Sequence, residues 1–226
     1  MTLLVVVTPA RNEQETIAAL TRGVLRTADH HLIVDDGSTD ETVVRALEAG
    51  AVVIPMARCL RRGLSSVYLY GFAEAFARWG VSAWYCEMDA GGSHSPDDLP
   101  AVFAGLVDAD TCWGSRFYSC ARYDGRWDRV ALSFGGSVLA RLRGMPASDA
   151  TSGFIAYRGH CLQRVLNTQF RSTGHYYQTE MKLRLHTLGF RWCEVPIQYK
   201  GGRSSLRLWD VAESLYLYST EGKESS

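Results

Sequence analysis

Ala83-Trp84-Tyr85-Cys86-Glu87-Met88-Asp89-Ala90-Gly91-Gly92-Ser93-His94-Ser95-Pro96 is the stretch on which the reading of this chain turns. Residues 83–88 form a short apolar run, apt for a buried strand, and they deliver the carboxylate of Asp89 at its end. Two glycines then let the backbone come close to a ligand. Pro96 with Asp97 and Asp98 reads as a helix start, because proline suits the first helical position and the helix dipole favours acidic residues there. A turn into a helix explains Pro96–Asp98 but gives no reason for a strand to end on Glu87-x-Asp89. Hard oxygen ligands at such a site suit Mg²⁺ or Mn²⁺ held against a diphosphate.

Working outward, the same alternation recurs. Leu3–Val7, Leu32–Val34 and Ala51–Ile54 are short apolar runs. Helical spacing appears over Glu13–Arg26, from Thr39 through Leu47, and over Leu64–Trp79. Strands separated by helices predict an α/β fold, a mostly parallel doubly wound sheet with right-handed crossovers. Ligands of such sheets bind beyond the carboxyl ends of the strands. The polar clusters Pro9–Glu13, Asp35–Ser38 and Asp89–His94 all follow strand ends, so one sheet would line them along one edge. In the second half, Thr111–Trp113 and Arg191–Ile197 read as strands. Val130–Leu142, Gly159–Leu166, Tyr177–Leu188 and Leu206–Tyr218 read as helices. The 226 residues suit one domain of the larger kind.

Bulk properties exclude more than they assign. With 24 basic and 24 acidic residues the net field gives no argument for a nucleic-acid partner, so an anion site must be built locally. Six scattered cysteines, with no C-x-x-C pair, form neither a disulfide framework nor a zinc set and read as buried reduced thiols of a cytoplasmic protein. Leu3–Val7 is too short for a signal segment, and charges interrupt every candidate membrane span. Any membrane contact is therefore peripheral, with the aromatic- and leucine-rich 206–218 helix as its candidate.

Singly, the other polar clusters carry little. Asp35-Asp36-Gly37-Ser38 offers a carboxylate to a base or ribose, and equally an Asx-turn with a helix cap at Ser38 or Thr39. His94 is a phosphate donor or metal ligand, or an ordinary turn histidine. Arg116, Arg122, Arg126 and Arg129 offer forked donors that match phosphate. Ser148–Phe154 alone is a loop, and Lys200–Ser205 is a basic, glycine-rich one.

Their order and spacing are specific. Pro9-Ala10-Arg11-Asn12-Glu13, Val34–Asp40, Arg62-Gly63-Leu64 with Gly71-Phe72, and Met88–Pro96 follow one pattern. It continues through Gly114-Ser115-Arg116-Phe117, Asp149–Phe154, Tyr177–Met181, Glu194-Val195-Pro196-Ile197 and Gly202–Leu206. Along essentially the whole chain this resembles the family-two glycosyltransferases of GT-A (Rossmann-like) fold, and most of all the polyprenol- and dolichol-phosphate mannose synthases. The resemblance implies an inverting transfer of a sugar, mannose from GDP-mannose, onto a polyprenyl-phosphate-type acceptor at the inner membrane surface.

The resemblance also implies a single GT-A domain, 1–226, with a nucleotide-binding half at about 1–110 and an acceptor-binding half at about 111–226, and it implies roles. Pro9, Glu13 and Asp36, with Ala10, Arg11, Asp35 and Gly63, would hold the nucleotide. Asp89 would hold the diphosphate through Mg²⁺ or Mn²⁺. Arg116 and Arg129 would cradle the acceptor phosphate with Ser152, and the loop of Lys200, Arg203 and Ser204 would close over it. Departures centre on the metal. The second aspartate of the usual D-A-D is Gly91, the final lysine is Ser205, and Tyr199 stands where an arginine is usual. Glu87, Ser93 or His94 would then assist Asp89, or Arg11, Arg61, Arg62 and Arg203 would take over part of the metal's charge. A soluble acceptor with a UDP- or GDP-sugar, and a degenerate nucleotide-sugar binder, are the competing readings. A neutral acceptor would need a base, for which Asp89, Asp149 and Glu180 are the available carboxylates.

Overall fold

The structure, a computed structural model, describes residues 2–61, 63–118, 121–124, 127–142, 144–201, 213 and 216–217, with the backbone alone at 123–124 and 127–130. The elements run β1 (Leu4–Ala10), α1 (Ile17–Val24), β2 (His30–Asp35), α2 (Thr42–Glu48), β3 (Val52–Pro55), α3 (Leu64–Trp79), β4 (Trp84–Glu87) and α4 (Leu99–Ala104). There follow β5 (Thr111–Ser115), β6 (Arg122–Asp124), α5 (Trp127–Leu142), β7 (Ile155–Arg158), α6 (Gly159–Leu166), α7 (Tyr177–Thr187), β8 (Trp192–Pro196) and β9 (Gln198–Lys200).

Seven strands form one sheet in the order β3-β2-β1-β4-β7-β5-β8, and β6 pairs with β9 beside it. Every pairing in the large sheet is parallel except the two made by β7, which runs against both β4 and β5. The alternation of strand side chains divides the core. Val5, Val7, Leu32 and Val34 face the layer with Tyr68, Phe72 and Tyr177, whereas Val6, Ile33, Cys86 and Met88 face Ile17, Leu20, Leu99 and Phe103. Helix α3 lies so close to the sheet at Gly71 that a Cβ there would fall 2.5 Å from Val34 Cγ2 and 2.8 Å from Val7 Cγ1. Within β2, His31 is fully buried between Thr21 Oγ1 (3.1 Å) and Thr8 Oγ1 (2.9 Å), and burial lowers its pKa to about 3.

The mostly parallel sheet with flanking helices agrees with the sequence reading, with several corrections. Strand β7 went unrecognised because its four residues follow a polar turn and carry no turn signal of their own before α6. Helix α1 begins at Ile17 rather than Glu13. Helix α2 begins at Thr42, whose N–H donates to Asp40 Oδ1 at 3.0 Å, so Asp40 lies ahead of the helix rather than in it. Cys86, Cys112 and Cys161 are buried as expected, but Cys59 is exposed and Cys193 half-buried; Cys120 lies outside the described residues. The 206–218 helix lies outside them too, apart from three residues. Of these, Glu213 accepts from the Thr173 and Gly174 amides at 2.8 and 2.9 Å, Leu217 joins the core, and Tyr216 is exposed. Among the described residues no helix is long and apolar enough to cross a membrane.

Candidate active site

The carboxyl ends of β1, β2 and β4 lie side by side, because β1 pairs with both neighbours in parallel register. This gathers the three predicted clusters along one edge. After β2, the Asp35 carboxylate accepts from the Gly37 amide (3.3 Å) and the Ser38 amide (3.0 Å), so Asp35 is buried holding the turn. The turn needs the left-handed backbone of Gly37, at φ +79°. The loop after β1 is laced onto it: Asn12 Oδ1 accepts from the Thr39 amide at 2.8 Å and the Glu13 amide donates to Thr42 Oγ1 at 2.7 Å.

With Asp35 occupied, Asp36 is the carboxylate presented at this edge. Two cations flank it: Arg61 Nε lies 2.9 Å from Oδ1 and Arg11 Nη1 lies 4.0 Å from Oδ2. The Arg61 contact is close but not aligned as a hydrogen bond, so both atoms lack a proper partner. The Arg61 guanidinium lies against Gly37, where any Cβ would meet it at 2.3 Å, and Nη2 donates to the Met56 carbonyl at 3.2 Å. Gly63 opens α3 against the Thr173 carbonyl; Arg62 is outside the described residues.

Asp89 follows β4 with 36% of its side chain exposed. Tyr68 OH donates to Oδ1 at 3.0 Å and Ser93 Oγ to Oδ2 at 3.4 Å. His94 stands behind it. The imidazole is buried, stacks on Phe154 at 5.1 Å, and takes the Asp89 amide on Nδ1 at 3.5 Å. Burial lowers its pKa despite Asp89, keeping the ring neutral. Glu87 lies beneath, wholly buried, with Tyr177 OH at 3.3 Å from Oε2, and burial raises its pKa to about 8. Of the three expected helpers, Ser93 reaches the Asp89 carboxylate on its open side, His94 backs it, and Glu87 is sealed from it. Gly91 opens the space a carboxylate would otherwise fill. A Cβ there would lie 3.8 Å from Glu13 Oε1, and Glu13, Gly91, Asn12, Thr16 and Asp40 border a pocket of about 150 Å³.

Across the sheet the Arg116 guanidinium is engaged by a carboxylate. Its Nε and Nη2 grip Asp149 at 2.7 and 2.8 Å, its amide donates to Asp149 Oδ2 at 3.0 Å, and Nη2 also reaches Thr151 Oγ1 at 2.6 Å. The guanidinium is covered by the Tyr199 ring, 5.1 Å away. Burial alone would raise the Asp149 pKa, but the Arg116 charge outweighs it and holds the carboxyl well below the usual range. Lys182, buried alongside, donates to the Asp149 carbonyl at 2.6 Å, and burial lowers its pKa to about 8. Glu194 closes the cluster by accepting from the Ser148 and Asp149 amides at 2.9 and 3.1 Å. Ser152 is buried and its hydroxyl takes the Phe154 amide at 3.4 Å.

Two of the three carboxylates weighed as bases are thereby engaged: Asp149 with Arg116, and Glu180 with Arg184 and the Arg171 and Ser172 amides. Lys200 ends β9, with its amide on the Ser93 carbonyl at 2.9 Å, so the Lys200 loop springs from beside the Asp89 turn. Arg203, Ser204 and Arg126 lie outside the described residues, and Arg129 is described only as backbone in α5. Sequence reasoning missed Tyr68 and Lys182. Tyr68 lies one helical turn before Gly71 on the sheet-facing side of α3, a spacing that marks its face but not its hydroxyl contact. Lys182 sits in a helix whose pattern does not separate a buried face from an exposed one.

Comparison with known proteins places this geometry. Residues 5–166 match Glycosyl transferase family 2. The chain is 35% identical to the undecaprenyl-phosphate mannosyltransferase of Micrococcus luteus over 84% of its length and 81% of the relative's. It is 34% identical to the polyprenol monophosphomannose synthase of Mycolicibacterium smegmatis, over 86% of this chain and 76% of that one. Among solved structures, the glucosyl-3-phosphoglycerate synthase of Mycobacterium tuberculosis, in complex with Mn²⁺, UDP and glucosyl-3-phosphoglycerate, superposes with a TM-score of 0.72. That match has 19% identity over 96% of this chain and 77% of that one, and it establishes a shared GT-A architecture. The match over most of the chain and the relatives' identity make this protein a glycosyltransferase belonging to glycosyltransferase family 2.

Proposed function

We propose that the protein transfers mannose from GDP-mannose to a polyprenyl phosphate, with inversion at the anomeric carbon. The observation that carries this is the edge where Asp36 with Arg61 and the half-open Asp89 stand together, in a chain about one-third identical to two polyprenyl-phosphate mannosyltransferases.

Asp36 and Arg61 supply an acceptor beside a donor. A keto–lactam base edge carries the complementary N–H beside C=O, whereas adenine and cytosine present the reverse order. Guanine adds a second N–H for the other carboxylate oxygen, which favours GDP over UDP. The approach of Arg61 to Gly37 and its bond to the Met56 carbonyl hold the pair at this edge.

Hard oxygen donors suit a divalent ion at Asp89: its own exposed carboxylate, the Ser93 hydroxyl, and Glu13 Oε1 across the gap at Gly91. Such an ion would supply charge stabilisation to the departing diphosphate. The chain's own residues orient it: Tyr68 fixes one Asp89 oxygen, and the Asp89 amide is held on neutral His94.

An acceptor phosphate, with a second pKa of about 6, is already an anion near neutral pH and needs no general base. This agrees with the engagement of Asp149 and Glu180 elsewhere. One phosphate oxygen forms the bond to C1 as the bond from C1 to the GDP oxygen breaks, and GDP carries off the electron pair. Arg129, Lys200, Arg203 and Ser204 are the proposed cradle for the acceptor phosphate, and Arg116 with Ser152 shapes its floor through Asp149. A lipid-borne acceptor is favoured by α5, where Phe134, Val138 and Leu142 form an exposed apolar stripe at four-residue spacing.

Thermal-shift titration with GDP, UDP, ADP and CDP, with and without Mg²⁺ or Mn²⁺, tests the donor side. The largest stabilisation is expected for GDP with metal. Equal shifts for all four nucleotides would overturn the proposed base reading.

A further inference from the structure

The opposite edge of the sheet holds a second cluster of ligating groups. Asp110 immediately precedes β5, and His160 and Cys161 open α6 just after Arg158, the β7 residue paired with the first residue of β4. This corner therefore lies at the far end of β4 from Asp89. His160 Nε2 is 3.4 Å from Cys161 Sγ and 3.7 Å from Asp110 Oδ1, and the three ligand atoms lie within 4.8 Å of one another.

The two separations from His160 Nε2 are near those of a metal site. Ligand distances of about 2.0–2.3 Å in a tetrahedron put neighbouring nitrogen, oxygen and sulfur atoms about 3.3–3.6 Å apart. The set mixes a thiol, an imidazole and a carboxylate, which favours a borderline ion such as Zn²⁺ over Mg²⁺ or Ca²⁺. The orientation of Asp110 is already set from outside. Its Oδ2 takes the Arg191 amide at 2.9 Å and lies 3.5 Å from Arg191 Nε, leaving Oδ1 as the oxygen facing His160. His160 is held edge-on to Phe190 at 5.8 Å and is half-exposed, so solvent reaches the fourth position. Cys161 is buried, and its thiol also donates to the Asp110 carbonyl at 3.3 Å.

We propose that Asp110, His160 and Cys161 form a second metal site, for Zn²⁺ or a similar ion, independent of the transfer site. On binding, the ion replaces the Cys161 thiol proton, which passes to solvent, and water completes the coordination. The ion would tie together the starts of β5, α6 and β8, since the Asp110 amide already bonds the Arg191 carbonyl (2.8 Å) and its carbonyl the Arg158 amide (3.0 Å).

Cobalt titration of the full chain under reducing conditions tests this, in a Cys59→Ser background that removes the exposed thiol. One equivalent should give thiolate-to-cobalt charge-transfer absorption and the strong visible bands of a four-coordinate ion, reversed by Zn²⁺. Both signals should vanish in Cys161→Ser and in His160→Gln. Absence of the bands, or their survival in either variant, overturns the proposal. Where Cys161→Ser does not fold, His160→Gln decides alone, because its side chain is half-exposed.

Discussion

Two carboxylate–arginine pairs face opposite fates in this molecule. Asp149 and Arg116 have side chains 0% and 6% exposed and are joined by two aligned bonds, an amide and a flanking threonine. Asp36 and Arg61 are 24% and 26% exposed and lie 2.9 Å apart without an aligned bond. A buried, saturated pair is architecture, because breaking it strands a charge in low dielectric. A half-open, misaligned pair gives little up when a ligand separates it. The arginine that the sequence motif marks for phosphate belongs to the first kind, and the arginine outside any motif role belongs to the second.

Asp149→Asn should have the largest effect. It keeps the shape but leaves Arg116 without its counter-charge, at an expected cost of about 3–5 kcal/mol in urea unfolding. A loss under about 1 kcal/mol, the scale of a solvated pair, would mean that Arg116 is free to serve phosphate after all. Asp36→Asn should do the converse. Stability should change by less than about 1 kcal/mol, while GDP affinity by calorimetry falls roughly tenfold to a hundredfold, the worth of a charge-assisted hydrogen bond. A variant of unchanged affinity would remove Asp36 from the base site.

The smallest effect concerns a polar centre that is buried yet neutral. Below a pH of about 6.5 the unfolded chain protonates His31. The folded chain refuses that proton until a pH of about 3, because burial opposes the charge. Stability is therefore fully present above the unfolded pKa and declines as pH falls through this window. The decline should reach about 2 kcal/mol by pH 5, at roughly 1.4 kcal/mol per pH unit. His31→Gln should flatten that slope in urea midpoints measured at pH 7 and pH 5. An unchanged slope would assign the pH dependence to other groups.

Much of this was legible in the sequence because it rests on local pattern. Apolar runs that end in Pro9, Asp35 and Asp89 fixed three parallel strands and the edge where they deliver their loops. The helices over 64–79 and 159–166 were read to the residue, as each has a clear apolar period and a glycine or proline nearby. What escaped was set by distant partners. Strand β7 is only four residues long and is defined by the two neighbours it joins. Asp35 and Asp36 are adjacent and chemically identical, and the amides of Gly37 and Ser38 decide which one is left to meet Arg61. Arg116 matched a motif, but the buried Asp149 that engages it lies 33 residues away. The loss of a carboxylate at Gly91 was visible at once, whereas the approach of Glu13 to that gap required the fold of both loops.

Passage of a mannosyl group to a polyprenyl phosphate at Asp89 is tested by transfer of radiolabelled mannose from GDP-mannose to undecaprenyl phosphate in detergent, by the unaltered protein and by Asp89→Asn. A β-linked, organic-extractable product from an α-linked donor is expected. In the variant kcat should fall about a hundredfold to a thousandfold, with an unchanged urea midpoint. Equal transfer by the variant, or a product that retains the donor's anomeric configuration, would contradict it.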